Sequence, residues 1–530
     1  MQQEGRQAFL ESIRPGKADD ALLQASEADV EAGRMTGPFF SVDEVCKALG
    51  TEDVAIARRF AVVQEDKTRP CDDARRSGVN ATSFQSKRVV LSTLDSFTEE
   101  VRLIQDAFSG ERVDMWKRDH ASAYRQVPIH PIEVPLSVVC FWHPTKQKRV
   151  LYIHQALPFG FVASVIGYNR ISQAIAFLAN RILKIPVDSY FDDFWCLEPE
   201  KSATSGFEAF GELNQILGFD IKIKKDINPG KQGDILGHEI NLDKSPVQVK
   251  ISASRRKKLI HLISSILHEG TLSPVLAGTV AGKAGFSAEA LYGKVGRAAL
   301  QPIFARQNMA VGSHKLNNGL RIGLLWIRTL IDLNIPRVIL PRGIKRKQIR
   351  AFVDAEGGTG GLGFVIQFSS MEGGSAYAHT KISAKALEIL RPRGNYIQFL
   401  EMAAAVFMIE TMKEELRDCD VILFCDNTAQ EGALRKGYSR DWEMAVVAGL
   451  TWLKVAELNI HLWIERVPSD YNISDAPSRM SPEDIKMLAE LGIPRVPAKS
   501  MEPFLKQLEK VLSGTVQVEQ LSESENPFLW

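Results

Sequence analysis

The sequence predicts a mixed α+β chain whose later part becomes an alternating α/β domain. Residues 60–245 mix β-rich runs with helical ones, and residues 250–335 are dominated by helical periodicity. Residues 351–480 then alternate strand-like and helix-like segments, as α/β domains do. At 530 residues the chain is too long for one core and fits two to four domains.

Taken in order, residues 1–60 read as a polar, helix-leaning N-terminal extension with an acidic patch at Glu27-Ala28-Asp29 and a turn at Gly37-Pro38. In residues 61–247, Leu136–Trp142 reads as a buried strand and Val150–Ile153 as its hairpin partner. Gly160–Leu183 reads as a helix, from apolar residues at three- and four-residue intervals. Residues 248–347 are helical, carrying the basic run Arg255–Lys258 and ending in a basic linker, Pro341–Arg350. Residues 348–480 form the α/β domain, and residues 481–530 a tail with a loose polar stretch, Glu519–Asn526.

Composition narrows the class. With 45% hydrophobic and 24% charged residues the chain is ordinary globular material. A net charge of +1 neither announces nor excludes a nucleic-acid partner, because phosphate attraction acts over about a Debye length. The six cysteines (Cys46, Cys71, Cys140, Cys196, Cys419, Cys425) form no CxxC pair, which argues against zinc and for a reducing compartment. No secretory leader or bilayer-length apolar run is evident, so a soluble intracellular protein without a membrane partner is expected.

Two constellations of acids carry the chemistry. In the first, Tyr190-Phe191-Asp192-Asp193 lies between apolar runs that suggest strand–turn–strand. Adjacent carboxylates there are costly unless a cation meets them, although a solvated Asp-Asp turn is the ordinary reading of an isolated match. Upstream lie Asp119 with Tyr124 five residues on, and the turn Leu157-Pro-Phe159-Gly160. Leu217-Gly218-Phe219 with Lys225, the segment Ile235–Ile240, and Lys67-Thr-Arg69-Pro-Cys-Asp-Asp73-Ala-Arg75 complete six blocks. Asp72 and Asp114 read as solvated decoys.

These blocks, in this order, resemble a retroelement reverse transcriptase. The resemblance implies a right-hand polymerase, with fingers and palm over 61–247 and a helical thumb and connection over 248–347. It implies that Asp119, Asp192 and Asp193 hold two Mg²⁺ (or Mn²⁺) ions, and that Lys67, Arg69, Arg75 and Lys225 meet an incoming dNTP. Tyr124 would exclude a ribose 2′-hydroxyl by clash. Phe159 and Gly160 would line the nucleotide site, although many relatives carry Gln or Met where Phe159 stands, and Phe cannot donate a hydrogen bond. Ile235–Ile240 resembles the hairpin that grips a primer.

The second constellation is Asp354 on a strand, Glu401 on an amphipathic helix, Asp426 at a strand end and Asp475 in Asn472-Ile-Ser-Asp475-Ala-Pro-Ser-Arg479. Singly, each is an ordinary cap or edge residue. Together they resemble the acid quartet of an RNase H-like domain, and FCDNTA and ERVPSDYNISDAPSR resemble DIRS and gypsy-like retroelements. That implies two further Mg²⁺ (or Mn²⁺) ions and hydrolysis of the RNA in an RNA–DNA hybrid. Where RNase H enzymes often carry a His near the last acid, this sequence has Arg466, and His461 lies upstream on a strand expected not to reach. The basic runs Arg255–Lys258 and Lys345–Lys347 read equally as phosphate contacts and as solvated faces. The expected partners are an RNA template, a DNA primer, the hybrid and dNTPs. A decayed copy that binds nucleic acid without turnover is the alternative, and the chain is expected to be part of a longer polyprotein or a partial gene.

Overall fold

The computed structural model describes residues 3–63, 68–84, 88–288, 290, 293–310, 312–342, 344–369, 374–383, 387 and 396–513. It divides into two compact units, Met1–Gly233 and Asp234–Trp530. Mixed α+β architecture holds in both. Among the described residues no helix is long and apolar enough to cross a membrane. The stretch Glu519–Asn526 lies outside the described residues.

The first unit has two sheets. One is ordered β1-β6-β5-β2-β3, from β1 (Met35–Phe39), β2 (Ile56–Val63), β3 (Thr68–Asp72), β5 (Val138–His143) and β6 (Lys148–His154). The expected hairpin is β5–β6, antiparallel with Val138 opposite Ile153. Its strands read as unbroken apolar runs because both faces are covered. Val138, Cys140, Leu151 and Ile153 pack with Phe9, Leu10 and Val45, while Val139, Phe141, Val150 and Tyr152 pack with Leu22 on the other side.

The other sheet is ordered β7-β8-β4-β9, from β4 (Val113–Asp119), β7 (Val187–Tyr190), β8 (Asp193–Pro199) and β9 (Ile227–Gly230). Helices Val162–Leu178 and Glu200–Ile216 cover it through Ile175, Ala176, Ala203 and Phe210, which meet Trp116, Phe194 and Cys196. Each large side chain buried there contributes about 2–3 kcal/mol. The helix expected over Gly160–Leu183 is α-helical to Leu178 and finishes as a π-turn, Ala179–Leu183, closed by Lys184 at φ 60°.

The second unit holds most of a small sheet, β10 (Gln232–Ile235), β11 (His238–Asn241), β12 (Val247–Ile251) and β13 (Arg337–Ile339), in that order. Leu236 and Gly237 join β10 to β11 at φ 51° and 70°, the left-handed pair of a tight hairpin. Helices Ala253–Glu269, Pro274–Ala288, Arg297–Gln307 and Asn318–Leu333 follow. The large sheet is ordered β16-β15-β14-β17-β18, from β14 (Gln348–Glu356), β15 (Gly361–Phe368), β16 (Ser375–Lys381), β17 (Asp420–Cys425) and β18 (His461–Arg466). β14, β15 and β16 run antiparallel, and β17 and β18 run parallel to β14.

Between residues 347 and 348, where the sequence suggested a division, the core is continuous. One apolar cluster runs from Ile251 to Leu508 and joins the four helices to the sheet and to helices Tyr396–Thr411 and Trp442–Glu457. Gly449 is needed there, since a Cβ on it would lie 2.1 Å from the Trp326 ring. On the opposite face of the sheet Val365 and Tyr377 meet Ala476, Leu488 and Ile493.

Candidate active sites

In the first unit, antiparallel pairing of β4 with β8 sets Asp119 directly opposite Asp193. β7 and β8 form a two-residue hairpin, Tyr190 pairing with Asp193 around Phe191-Asp192. Phe191 is left-handed (φ 53°), a costly conformation for a bulky residue, and Ser172 Oγ pins it by donating to its carbonyl at 2.7 Å. The Asp192 carbonyl accepts from His120 N at 3.0 Å, fastening the hairpin to the residue after Asp119. His120 is itself buried, 2.9 Å from Tyr168 Oη and 2.7 Å from Asn214 Oδ1.

Two lysines face these acids. Lys225 Nζ lies 2.5 Å from Asp119 Oδ2, and Lys117 Nζ lies 2.9 Å from Asp193 Oδ1. Burial pushes Asp193 up to about 6, with the nearby Asp119 adding to it against the Lys117 charge. Burial pulls Lys225 down, but the Asp119 hydrogen bond and charge outweigh it, leaving the ammonium above its ordinary value. Sequence reasoning missed Lys117, although it sits two residues before Asp119, and that spacing puts both on one face of a strand. Asp114 occupies the other face and is a correction. It is buried and paired with Lys231 at 2.5 Å, in a stretch of β4 where Asp114, Met115 and Trp116 are all buried.

Tyr124 follows Ser122 and Ala123, both left-handed (φ 56° and 31°), and its ring centroid lies 5.2 Å from that of Phe159 and 4.9 Å from that of Tyr168. Burial and the Asp192 charge push its phenol up to about 12, so it stays neutral. Phe159 is 40% exposed, which leaves a ring face open beside Tyr124. Gly160 has φ 102°, and a Cβ there would lie 2.0 Å from the Asp72 carbonyl oxygen, so only glycine fits. Arg69 on β3 and Arg75 just beyond it are exposed, and Lys67 lies outside the described residues. Asp72 is a second correction, being buried between Arg59 and His154 rather than solvated.

In the second unit, Asp354 on β14, Asp426 just after β17 and Asp475 at the start of helix Asp475–Arg479 each offer an oxygen within 4.8 Å of the others. Among the described residues this is the one trio of acids so spaced. Asp119, Asp192 and Asp193 do not form such a group, and Glu401 stands outside the trio. Glu401 is nevertheless electrostatically joined to it. Burial pushes it up to about 9, and the charges of Asp354, Asp426 and Asp475 push the same way. Its Oε2 is buried without a hydrogen-bond partner among the described residues. Asp354 is pushed up to about 7 by burial, against a hydrogen bond from Ser478 Oγ. Burial also raises Asp475, against Arg479, whose guanidinium lies 2.6 Å away.

An all-oxygen set, one buried acceptor without a donor, and acids unable to discharge one another together fit hard divalent cations. In the first unit Lys117 and Lys225 stand against Asp193 and Asp119, where ammonium groups take the place a cation would need.

Ser478 and His379 were also missed. Ser478 belongs to the quoted DAPSR run, so its proximity to Asp475 was legible, whereas its bond to Asp354 was not. His379 stands opposite Gly363 on β16 and hydrogen-bonds the Pro477 carbonyl through Nδ1 at 2.6 Å, a link across 98 residues that no local pattern shows. His461 does not reach, as expected. It pairs with Asp420 at the start of β17, while Asp426 follows the other end. Of the basic runs, Arg346 is buried against Asp420 at 2.9 Å, which corrects both readings of that residue. Arg255 lies over Phe286 at 4.3 Å, and Lys257 and Lys258 are exposed.

No protein-family model matches the sequence, and no curated protein does. Among solved structures the chain is similar to the foamy viral protease-reverse transcriptase dRH in complex with double-stranded DNA. The TM-score is 0.46 at 15% identity, covering 86% of this chain and 72% of that one. The foamy viral protease-reverse transcriptase with an RNA/DNA hybrid gives 0.47 at 14%, covering 86% and 54%, so this chain spans about half of it. The same protein with double-stranded DNA gives 0.44 at 14%, covering 86% and 84%.

Proposed function

We propose that the chain is an RNA-directed DNA polymerase of a retrotransposon, of the DIRS or gypsy-like kind, with an RNase H activity on the same polypeptide. Residues 61–247 would be fingers and palm, 248–347 thumb and connection, and 348–480 the RNase H-like domain. The observation that carries the reading is the β4–β8 register, which sets Asp119 beside Asp193 while the β7–β8 hairpin presents Asp192. The second trio, Asp354, Asp426 and Asp475, supports the nuclease half.

Asp119, Asp192 and Asp193 would hold one pair of Mg²⁺ (or Mn²⁺) ions, and Asp354, Glu401, Asp426 and Asp475 another. Bound there, such a pair neutralises charge on the attacking and leaving oxygens of a phosphoryl transfer. The protein's own groups do the rest. Arg69, Arg75 and Lys67 offer fork and point charges to the triphosphate of a dNTP. Tyr124, neutral and held by Tyr168 and Phe159, walls the sugar against a 2′-hydroxyl. Lys225 Nζ holds Asp119 Oδ2 in place. Glu401 and Asp354 hold protons that must leave before they become ligands, which couples hydrolysis to pH. RNA template, DNA primer and the RNA–DNA hybrid are the macromolecular substrates.

Primer extension on poly(rA)/oligo(dT), with and without EDTA, tests the reading alongside cleavage of a labelled hybrid. Asp192→Asn is expected to abolish extension and spare cleavage, and Glu401→Gln to do the converse. Loss of both activities in either variant would refute two separate centres. Hybrid binding without either activity would establish the binding-protein alternative.

A further inference from the structure

A closed ring of five side chains lies beneath the wall that carries Tyr124 and Phe159. Arg125 NH2 donates to Asp29 Oδ2 at 3.0 Å, and Arg125 NH1 meets His154 Nδ1 at 3.0 Å. His154 Nε2 meets Asp72 Oδ2 at 2.9 Å. Arg59 closes the circle, its Nε 3.8 Å from Asp72 Oδ1 and its NH2 3.7 Å from Asp29 Oδ2. Arg59, Asp72, Arg125 and His154 are each at most 6% exposed.

The protonation states follow from the partners. Arginine can only donate, so Nδ1 of His154 accepts and the proton sits on Nε2, which donates to Asp72. Burial, with Arg59 and Arg125 nearby, pushes His154 down to about 4 despite Asp72, so the imidazole is neutral. Burial raises Asp72, but Arg59 and His154 outweigh it and hold the carboxyl ionised. Within the ring the two acids face the two guanidiniums across a neutral imidazole, and Arg34 also lies 4.0 Å from Asp29 at the ring's more exposed end.

The five residues come from five separate elements, two of them touch the nucleotide wall, and a third leads toward it along the chain. Arg125 is covalently next to Tyr124, and its NH1 also donates to the carbonyls of Ala156 at 2.7 Å and Leu157 at 3.3 Å, which lead into Pro158-Phe159-Gly160. The Asp72 amide donates to the Phe159 carbonyl at 3.1 Å, and its own carbonyl sits against Gly160. His154 ends β6, two residues before Ala156.

We infer that the Asp29–Arg125–His154–Asp72–Arg59 ring is a positioning device that sets the distance between Tyr124 and Phe159, and with it nucleotide affinity and sugar selectivity. This rests on the polymerase reading above. None of the five touches substrate. Their effect passes through the Arg125 backbone to Tyr124 and through the Asp72 backbone to Phe159–Gly160. A leucine at 154 would break both links, whereas glutamine can still donate at one end and accept at the other.

The test is steady-state extension of poly(rA)/oligo(dT) by the full chain, with dTTP and UTP. For His154→Leu, KM for dTTP is expected to rise about tenfold and the preference for dTTP over UTP to fall about tenfold, with kcat within about twofold. His154→Gln is expected to stay within about twofold of wild type in all three. Asp29→Asn, which opens the ring at its most exposed member, should shift KM and selectivity in the same direction by about threefold even if His154→Leu fails to fold. Unchanged KM and selectivity in both opened rings, beside a wild type that extends primers, would overturn the positioning role alone. So would a His154→Gln protein as impaired as His154→Leu, or a loss confined to kcat. A wild type that extends no primer would overturn the polymerase reading and this inference with it.

Discussion

Glu401 and Asp354 hold protons that free carboxyls lose near pH 4, because burial and the neighbouring acids push them up to about 9 and about 7. The folded chain therefore keeps protons over a range where the unfolded chain has released them. Through these two groups the stability of the metal-free protein accordingly falls as pH rises from about 5 to about 9, since burial penalises their ionised forms and the neighbouring acids add to it. The melting temperature without divalent ions is expected to drop across that range. Glu401→Gln should flatten the slope and raise stability at pH 8 by about 1–3 kcal/mol while abolishing hybrid cleavage. Because cations bind the deprotonated acids, stabilisation by added Mg²⁺ should grow over the same interval. Thermal melts at several pH values, with EDTA or Mg²⁺, read all three. A pH-independent melt would mean that Glu401 and Asp354 do not hold protons in the folded chain.

At the scale of elements, the clustering of Asp354, Asp426 and Asp475 depends on how closely helix Asp475–Arg479 approaches the sheet. Gly361 and Gly363 on β15 make that approach possible, since a Cβ on Gly363 would lie 2.3 Å from Ser478 N and one on Gly361 2.0 Å from the Ser478 carbonyl oxygen. The contacted atoms are backbone and cannot rotate away. Gly363→Ala is thus expected to lift the helix, cost about 1–3 kcal/mol, and impair hybrid cleavage while leaving primer extension intact. Cleavage and extension measured side by side would show it, and an unimpaired Gly363→Ala would mean that the helix seats elsewhere. The sequence displayed these elements unequally. β5, β6, β14 and β17 were legible because apolar runs bounded by turns mark buried strands, and the acids stood out at their ends. Arg59, Arg125 and His154 were not, because their partners lie 13 to 96 residues away and a buried charge looks like a solvated one in one dimension. Asp72 misled for that reason, and Lys117 was readable only once β4 was known to be a strand.

For the whole molecule, what holds the second unit together is the continuity of its core across residue 347. Trp326 is fully buried, and Gly449 on helix Trp442–Glu457 is the notch that receives it, with Ala298 also within reach. A fragment beginning at residue 348 would lose Trp326 and the apolar faces of all four preceding helices, and would expose helix Trp442–Glu457. An aromatic of that size buries about 150–250 Å², and the four helices together bury several such areas. At about 25 cal/mol per Å², on the order of 5–10 kcal/mol or more is at stake, comparable with the whole stability of a domain. A fragment of residues 234–530 keeps the core entire. It is therefore expected to melt cooperatively, whereas residues 348–530 should expose apolar surface, bind a hydrophobic dye and aggregate. If the shorter fragment melted as cooperatively and as high as the longer one, the helices of 253–333 would be an accessory to the α/β sheet rather than part of its core.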